Sequence, residues 1–557
     1  MRSTFMGLET SKKGLFVQQS ALYTTGHNIS NANTDGYSRQ RVNMSATPGY
    51  PYPGLNSPTY PGHLGTGVEV TSIQRIRDEF IDRQYRQETG KLGYWESTLN
   101  SINQAEDILS EPSKFGINQS FSDFWKAFQD VATNPEDTAA RKVAIAKAEA
   151  LSDSFNYNYT QLETIQGNLG NEINVTTKDV NSLLKKIAVV NEQIMVMEPN
   201  GYVTNDLYDT RDLLIDELNE YLPVSFERVP SGGNANPIAE GSLTVFYKTA
   251  QGESVILVHG KEHAEIAMND IAGNEIDSAM GNDGKYELFG GMNIKWSDNT
   301  PPNVAIFPNI NIVNPLVPST LGENYDYTRF EKAKGKLMAL VDAYGYNDGG
   351  VTKGIYPELL GELNTLAKSF VDVFNRVHGA GYSLNSTNAT ANGDGGNFFD
   401  PNSTGAKDIK VAARILNDPK AIAASSGKGE EGNGKWATEL ANLQFKGIGA
   451  TAINITVGGT TIDVTGNLDG ATFQGFYSGI VGDLAVKGQE AIRLEYNSET
   501  LRLQIENNRA SMSSVSLDEE MSNMITFQQA YNANARMITV VDETLDKIIN
   551  GMGRVGL

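Results

Sequence analysis

The stretch HNISNANTDGYSRQ, residues 27–40, decides how the rest of the chain is read. Before it, Leu8, Leu15, Leu22 and Ile29 recur every seven residues with Phe5 close to the same face, which is one narrow apolar stripe on a helix. Lys12, Gln19 and Gly26 stand where a second apolar column would be, so this helix is marginal alone and needs a partner. Inside the quoted stretch the stripe stops. Asn33-Thr34-Asp35-Gly36 offers short polar side chains that bond nearby backbone and a glycine suited to a sharp turn, and Tyr37 can anchor the chain beyond the turn. The stretch reads as a corner at the end of a helix.

A candidate partner lies at the other extreme of the chain. From Ser516 onward the sequence is helical, with Ser516 and Glu519 spaced as a capping box. Its apolar face carries Leu517, Met521, Met524, Tyr531, Ala535, Ile538, Leu545 and Ile548, with Phe527 and Val541 beside it and Gln528 and Asp542 as interruptions. Chain ends fray unless something ties them down. Apolar stripes at both ends therefore predict an assembly seam, buried between the two helices or against neighbouring copies.

Between the ends, the chain divides by pattern. A Pro/Gly/Tyr-rich run over 47–67 cannot continue a helix, and VEVTSIQRIRDEFIDRQYRQ then changes from alternation to helical spacing, with Ile73, Ile76, Phe80 and Ile81 as core candidates. The most regular segment is Leu162, Ile165, Leu169, Ile173, Thr176, Val180, Leu183, Ile187, Val190, Ile194 and Met197. Steps of three and four predict a packed helix of about 54 Å, ended by Pro199-Asn200-Gly201 and returned as a hairpin by YDTRDLLIDELNEYL. Short alternating runs between Gly, Asn and Asp clusters then predict antiparallel strands. The expected fold class is α+β, multidomain and elongated. Its parts are a terminal helical unit (1–46 with 511–557), an extended connector (47–70), a helical middle (71–223 with 320–385 and 486–510), a β-rich insert (224–319) and a smaller mixed insert (386–485).

Composition narrows the function. The 557 residues exceed a single core, and a net charge of -22 without any basic block disfavours nucleic acid and anionic membrane. The absence of cysteine removes disulfides, thiolate metal sites and thiol catalysis. The N-terminus lacks the apolar core of a classical signal peptide, and no window offers the ~18 apolar residues of a membrane span. The sharpest catalytic candidate is HGKEH, His259 to His263, which matches a zinc-peptidase pattern. That chemistry needs both histidines one helical turn apart, whereas this pentapeptide follows the strand-like SVILV and contains Gly260, which favours a hairpin turn. NGDGGN and GNDG lack the spaced carboxylates of a calcium loop. No catalytic, cofactor-binding or metal-ligating residue is assigned.

The corner itself, Asn28-Ile29-x-Asn31-x-Asn33-Thr34-x-Gly36-Tyr37-Ser38-Arg39-Gln40, resembles the box of the bacterial flagellar axial proteins, and its Ser-Arg-Gln ending is similar to the hook-associated members rather than to rod or hook proteins. The C-terminal LDEE and QQAY helix and the internal GKLMALVDAYG resemble the same family. The resemblance implies a non-enzymatic structural protein, exported unfolded without signal cleavage and placed outside the cell between hook and filament. It implies paired terminal helices forming an inner tube. The partners it implies are copies of the chain, the flagellar hook protein, hook-associated protein 3, and an export chaperone on the C-terminal helix, with no nucleic acid and no membrane. The alternatives are a flagellum-borne enzyme or adhesin, or another rod or hook protein.

Overall fold

The computed structural model describes residues 5–52, 64–109, 116–248, 254–276, 286–296, 324–325, 335–385, 393–457 and 459–551. The GNDG turn and much of the expected connector lie outside them. The helices are α1 (Met6–Ser30), α2 (Glu79–Leu109), α3 (Ile117–Thr133), α4 (Thr138–Met197), α5 (Asn205–Tyr221), α6 (Lys336–Tyr344), α7 (Ile355–Gly379), α8 (Ala413–Asn417), α9 (Lys435–Asn442), α10 (Phe473–Ser513) and α11 (Leu517–Gly551). The architecture is mixed α+β and multidomain.

One helix serves as the ruler of the molecule. α4 is 60 residues long, about 90 Å at the usual rise. It begins at Thr138 rather than near Leu162, because Ala144, Ala148, Leu151 and Phe155 carry the buried face further back in a run of strong helix formers. Asp137 caps it through the N–H of Ala139 at 2.8 Å, and Gly201, at φ 88°, closes it after Pro199. The expected column from Leu162 to Ile194 is buried except for the half-buried Ile165, and Met197 at its end is exposed.

Three bodies lie along this ruler. Near its start, α3, α7 and α9 enclose an aromatic core in which Phe121, Phe124, Phe370 and Phe374 are fully buried. Along its second half lies an eight-stranded sheet of order β10-β9-β7-β6-β5-β4-β3, with β8 pairing β7. Its strands are β3 (Val224–Val229), β4 (Ser242–Lys248), β5 (Ser254–His259), β6 (Glu262–Asp270), β7 (Phe289–Trp296), β8 (Asn324–Tyr325), β9 (Tyr346–Asp348) and β10 (Val351–Lys353). Two asparagines of α4 dock the sheet: Asn181 exchanges both hydrogen bonds with the backbone of Ile266 at 2.8 Å, and Asn191 bonds Leu243 and Gly260. The smaller insert brings β12 (Ala423–Ser425), which pairs with β11 (Tyr382–Ser383) just before it, and β13 (Ile453–Val457) with β14 (Thr460–Val464).

At the far end of α4, α5 turns back beside it, and α2 and α10 run antiparallel, with Tyr477 reaching Leu109 at one end and Arg509 meeting Asp82 at the other. The boundary expected at 485/486 falls inside α10, a single continuous helix. Phe80, a core candidate, is 64% exposed, and the buried positions beside it are Arg75, Asp82 and Arg86. The core here is ionic, which apolar periodicity cannot detect. HGKEH spans the β5–β6 turn: His259 pairs with Glu262 across Gly260 and Lys261, and Gly260 takes φ 56°. Strand geometry does not set the two histidines one helical turn apart. Among the described residues no group of His, Asp and Glu could hold a metal ion.

Candidate assembly joint

The terminal helices α1 and α11 lie against each other, and the fully buried face of α1 is not the leucine column. Gly7 and Gly14 of α1 face α11, and the buried Ala21 and Asn28 continue the same seven-residue spacing: a Cβ on Gly14 would sit 2.8 Å from Asn534 Oδ1, one on Gly7 3.7 Å from Val541, and Asn28 bonds Glu520. Small residues let two helix backbones approach closely, and the large side chains are then displaced to the flanks. Leu8, Leu15, Leu22 and Ile29 are accordingly only half-buried. Phe5, Phe16 and Tyr23 share the outer face of the helix at 57%, 54% and 77% exposure. On α11, Met524, Phe527, Tyr531, Ile538, Val541 and Leu545 are half-buried, whereas Leu517, Met521 and Ile548 are exposed.

The corner ties this pair to the body by polar bonds. α1 stops at Ser30, where the Asn31 side chain bonds back to the carbonyl of His27 at 3.1 Å and accepts from Thr34 Oγ1 at 3.2 Å. Asn33 and Asp35 are exposed, and Gly36 takes φ 76° with Leu213 of α5 packed where a Cβ would lie. Only glycine suits that place. Gln40 then opens a hairpin, β1 (Gln40–Ala46) with β2 (Val68–Arg75).

The buried polar groups of the corner have named partners. Asn28 is buried and uses its whole amide: Oδ1 accepts from Tyr37 Oη at 2.8 Å and from the Gln40 N–H at 3.0 Å, while Nδ2 donates to the Gln40 carbonyl and to Glu520. Burial and the nearby carboxylates of Asp206, Asp209 and Glu520 push the Tyr37 phenol up, so it remains a donor. Ser38 donates its N–H and its hydroxyl to Asp209 of α5 at 3.0 and 2.6 Å. Gln40 reaches Asp206 at 2.8 Å.

Arg39 is the clasp between the two ends of the chain. Its Nη1 and Nη2 donate to Glu519 at 2.9 and 2.8 Å, its Nε donates to Glu520 at 2.8 Å, and its backbone N–H donates to the Ser513 carbonyl at 2.9 Å. The hydrogen bonds to Arg39 hold the Glu519 carboxyl below its ordinary range. Sequence spacing places Glu519 in a capping box with Ser516; two charge-assisted bonds to a planar guanidinium outcompete that local contact.

Behind the corner lies a buried ionic layer. Asp212 of α5 meets Arg75 at 2.6 Å, Arg77 at 3.2 Å and Arg86 at 3.1 Å. Arg75 also reaches Asp209 and Glu240, Arg86 reaches Asp216, and Arg509 of α10 meets Asp82 and Asp216. Burial alone would raise the Asp212 carboxyl, but the surrounding arginines overcome it and hold the group well below the usual carboxylate range. The structure thus brings the corner, the start of α11 and the base of α5 into one joint. Sequence reading missed the Gly7-Gly14-Ala21 column and the acidic line Asp206, Asp209, Asp212 and Asp216. Both were visible as spacing, seven for the first and three or four for the second.

The known proteins that this chain is similar to are flagellar. A family model described as the flagellar hook-associated protein FlgK helical domain matches residues 102–290, and one described as the flagellar basal body rod FlgEFG protein C-terminal matches 507–551. The chain is 38% identical to flagellar hook-associated protein 1 of Bacillus subtilis over 99% of both chains. It is 25% identical to the protein of the same name from Escherichia coli, over 98% of this chain and 99% of that one. Its fold is similar to a solved structure described as the flagellar hook junction protein FlgK from Burkholderia pseudomallei, with a TM-score of 0.52, 14% identity, and 78% of this chain and all of that one covered. The chain belongs to the flagellar hook-associated protein 1 family, structural components of the bacterial flagellum.

Proposed function

We propose that this chain joins hook to filament as a non-catalytic subunit, by side-to-side assembly of its terminal helix pairs outside the cell. The observation that carries the reading is the pair itself. The helix pair leaves the leucine column half-covered and Phe16 and Tyr23 exposed, so apolar surface remains for neighbouring copies. Leu8, Leu15 and Leu22 on one helix and Leu517, Met521 and Ile548 on the other belong to that surface. The hook protein on one side and hook-associated protein 3 on the other are the proposed axial neighbours. An export chaperone is the proposed cover of the α11 face, where Met524, Phe527 and Tyr531 form an adaptable apolar strip.

A strain lacking the gene tests this directly. Hooks without filaments, with flagellin released to the medium, are expected, and the wild-type chain restores filaments where Leu22→Asp does not. Filaments that form normally without the chain would overturn the reading.

A further inference from the structure

Away from the joint, His378 is a fully buried histidine near the end of α7. Both ring nitrogens are in use. Nε2 accepts the backbone N–H of Ala423 in β12 at 2.9 Å, which makes it the unprotonated nitrogen, and Nδ1 donates to the Gly396 carbonyl at 2.8 Å. The ring is therefore neutral. It bridges α7 to two stretches of the smaller insert that are distant in sequence.

The surroundings disfavour a charge there. Phe374 and Phe398 lie against the ring at 6.3 and 5.3 Å. From α4, Arg141 approaches, donating to the Ile422 carbonyl at 2.7 Å and to the Pro135 carbonyl at 2.8 Å. From α8, Arg414 approaches, donating to the carbonyls of Gly395 and Asp394. The facing carboxylate is Asp394, which accepts the Ser383 N–H at 2.9 Å; Asp418 lies further out, beside Arg141. β12 brings only Ala423, Ala424 and Ser425, and Trp436 of α9 donates to the Val377 carbonyl.

We propose that His378 is an acid-released pin: neutral, it fastens the smaller insert to the helical body, and a proton taken from solvent onto Nε2 expels the Ala423 N–H and frees that stretch. The proton converts the acceptor into a donor facing a donor, so the bond cannot survive it. Burial, with Arg414 and Arg141 adding to it against the Gly396 bond, holds the ring down to about 4. A histidine in opened chain titrates near ~6.5. The opened state thus binds the proton more readily, so the pin has full strength above about pH 6.5 and loses it as pH falls toward about 4. Across that window the opening equilibrium grows roughly tenfold per pH unit.

Hydrogen exchange of the full chain, corrected for the intrinsic pH dependence of exchange, tests the pin. Protection of a peptide covering Ala421 to Ser425 is expected to fall about 40-fold between pH 6.5 and 4.5 while peptides of α4 hold theirs. In His378→Gln, whose amide can donate and accept but does not titrate, the fall is expected to vanish. A wild-type profile that stays flat, or an equal fall in the Gln variant, would overturn the proposal. If that variant does not fold, nitrogen shifts of the wild-type ring decide. Protonation that accompanies the loss of protection sustains the pin, and protonation near pH 6.5 with protection intact refutes it.

Discussion

The aromatic core at the start of α4 and the terminal helix pair solve the same packing problem in opposite ways. In the core, Phe124 meets Phe128, Phe370 and Phe374 with ring centroids 4.9, 5.6 and 5.2 Å apart, and no part of these rings is exposed. In the pair, the contact line is glycine and alanine, and the bulky side chains stand beside it. Large interlocking rings exclude water within one chain, which suits a body that must be stable alone. A small-residue seam lets two helices approach closely yet leaves their apolar flanks half-covered. Close-packed aromatic core and half-covered apolar helix pair are thus two separate regions of the chain.

The comparison breaks first at the core. Phe124→Ala removes a fully buried ring and should cost about 4 kcal/mol of unfolding free energy, read as a lower urea midpoint. Next comes the ionic layer. Asp212→Asn removes the carboxylate that Arg75, Arg77 and Arg86 share, which leaves the buried guanidinium cluster one compensating charge short, and should cost about 3 kcal/mol. The Asp212 charge persists in the folded protein at pH values where a free aspartate protonates. Its contribution is therefore complete above about pH 3.9, the unfolded value, and is lost only as pH falls below it. Wild type and Asp212→Asn should accordingly converge in stability under strong acid. Denaturation at pH 7 and pH 2 checks both statements.

Gly14→Val sharpens the contrast, because it acts on the seam alone. A Cβ would meet the Asn534 side chain at 2.8 Å, so that side chain must turn away and give up its place at the seam or α1 must shift, at a local cost of about 1–3 kcal/mol. Exchange protection in α11 should fall while the melting transition of the body is unchanged. A body that melts earlier by the same amount would mean that the pair and the core form one cooperative unit.

Legibility in the sequence divides along the same line. The α4 column was legible because its steps of three and four continue, with Thr176 as the one polar exception, through a helix with a buried face along its length, and the corner was legible because Asn-Thr-Asp-Gly turns a chain for local reasons. The partners of the corner were not. Arg39 and Glu519 are 480 positions apart, and a pairing over that distance leaves no periodic trace. The glycine column escaped for a different reason: counting apolar residues scores Leu8, Leu15 and Leu22 and passes over Gly7, Gly14 and Ala21, although closeness of backbones is what the seam needs. Phe80 failed in the reverse direction, since an aromatic at helical spacing reads as core where charged groups are buried instead.

The smallest effect on stability belongs to the aromatic line, and it is the most informative about assembly. Tyr23 is 77% exposed, so Tyr23→Ser should change the unfolding free energy by less than about 0.5 kcal/mol. If the exposed aromatic line is a surface between copies, the same substitution should still impair filament formation in cells. Tyr157→Ser, at a site on α4 that is 63% exposed, is a matched control for losing an exposed tyrosine elsewhere. Impairment by Tyr23→Ser and not by Tyr157→Ser would assign the line to assembly independently of folding, because neither site supports the core. Equal behaviour of the two variants would return the aromatic line to ordinary surface and leave the half-covered leucine column as the remaining contact between copies.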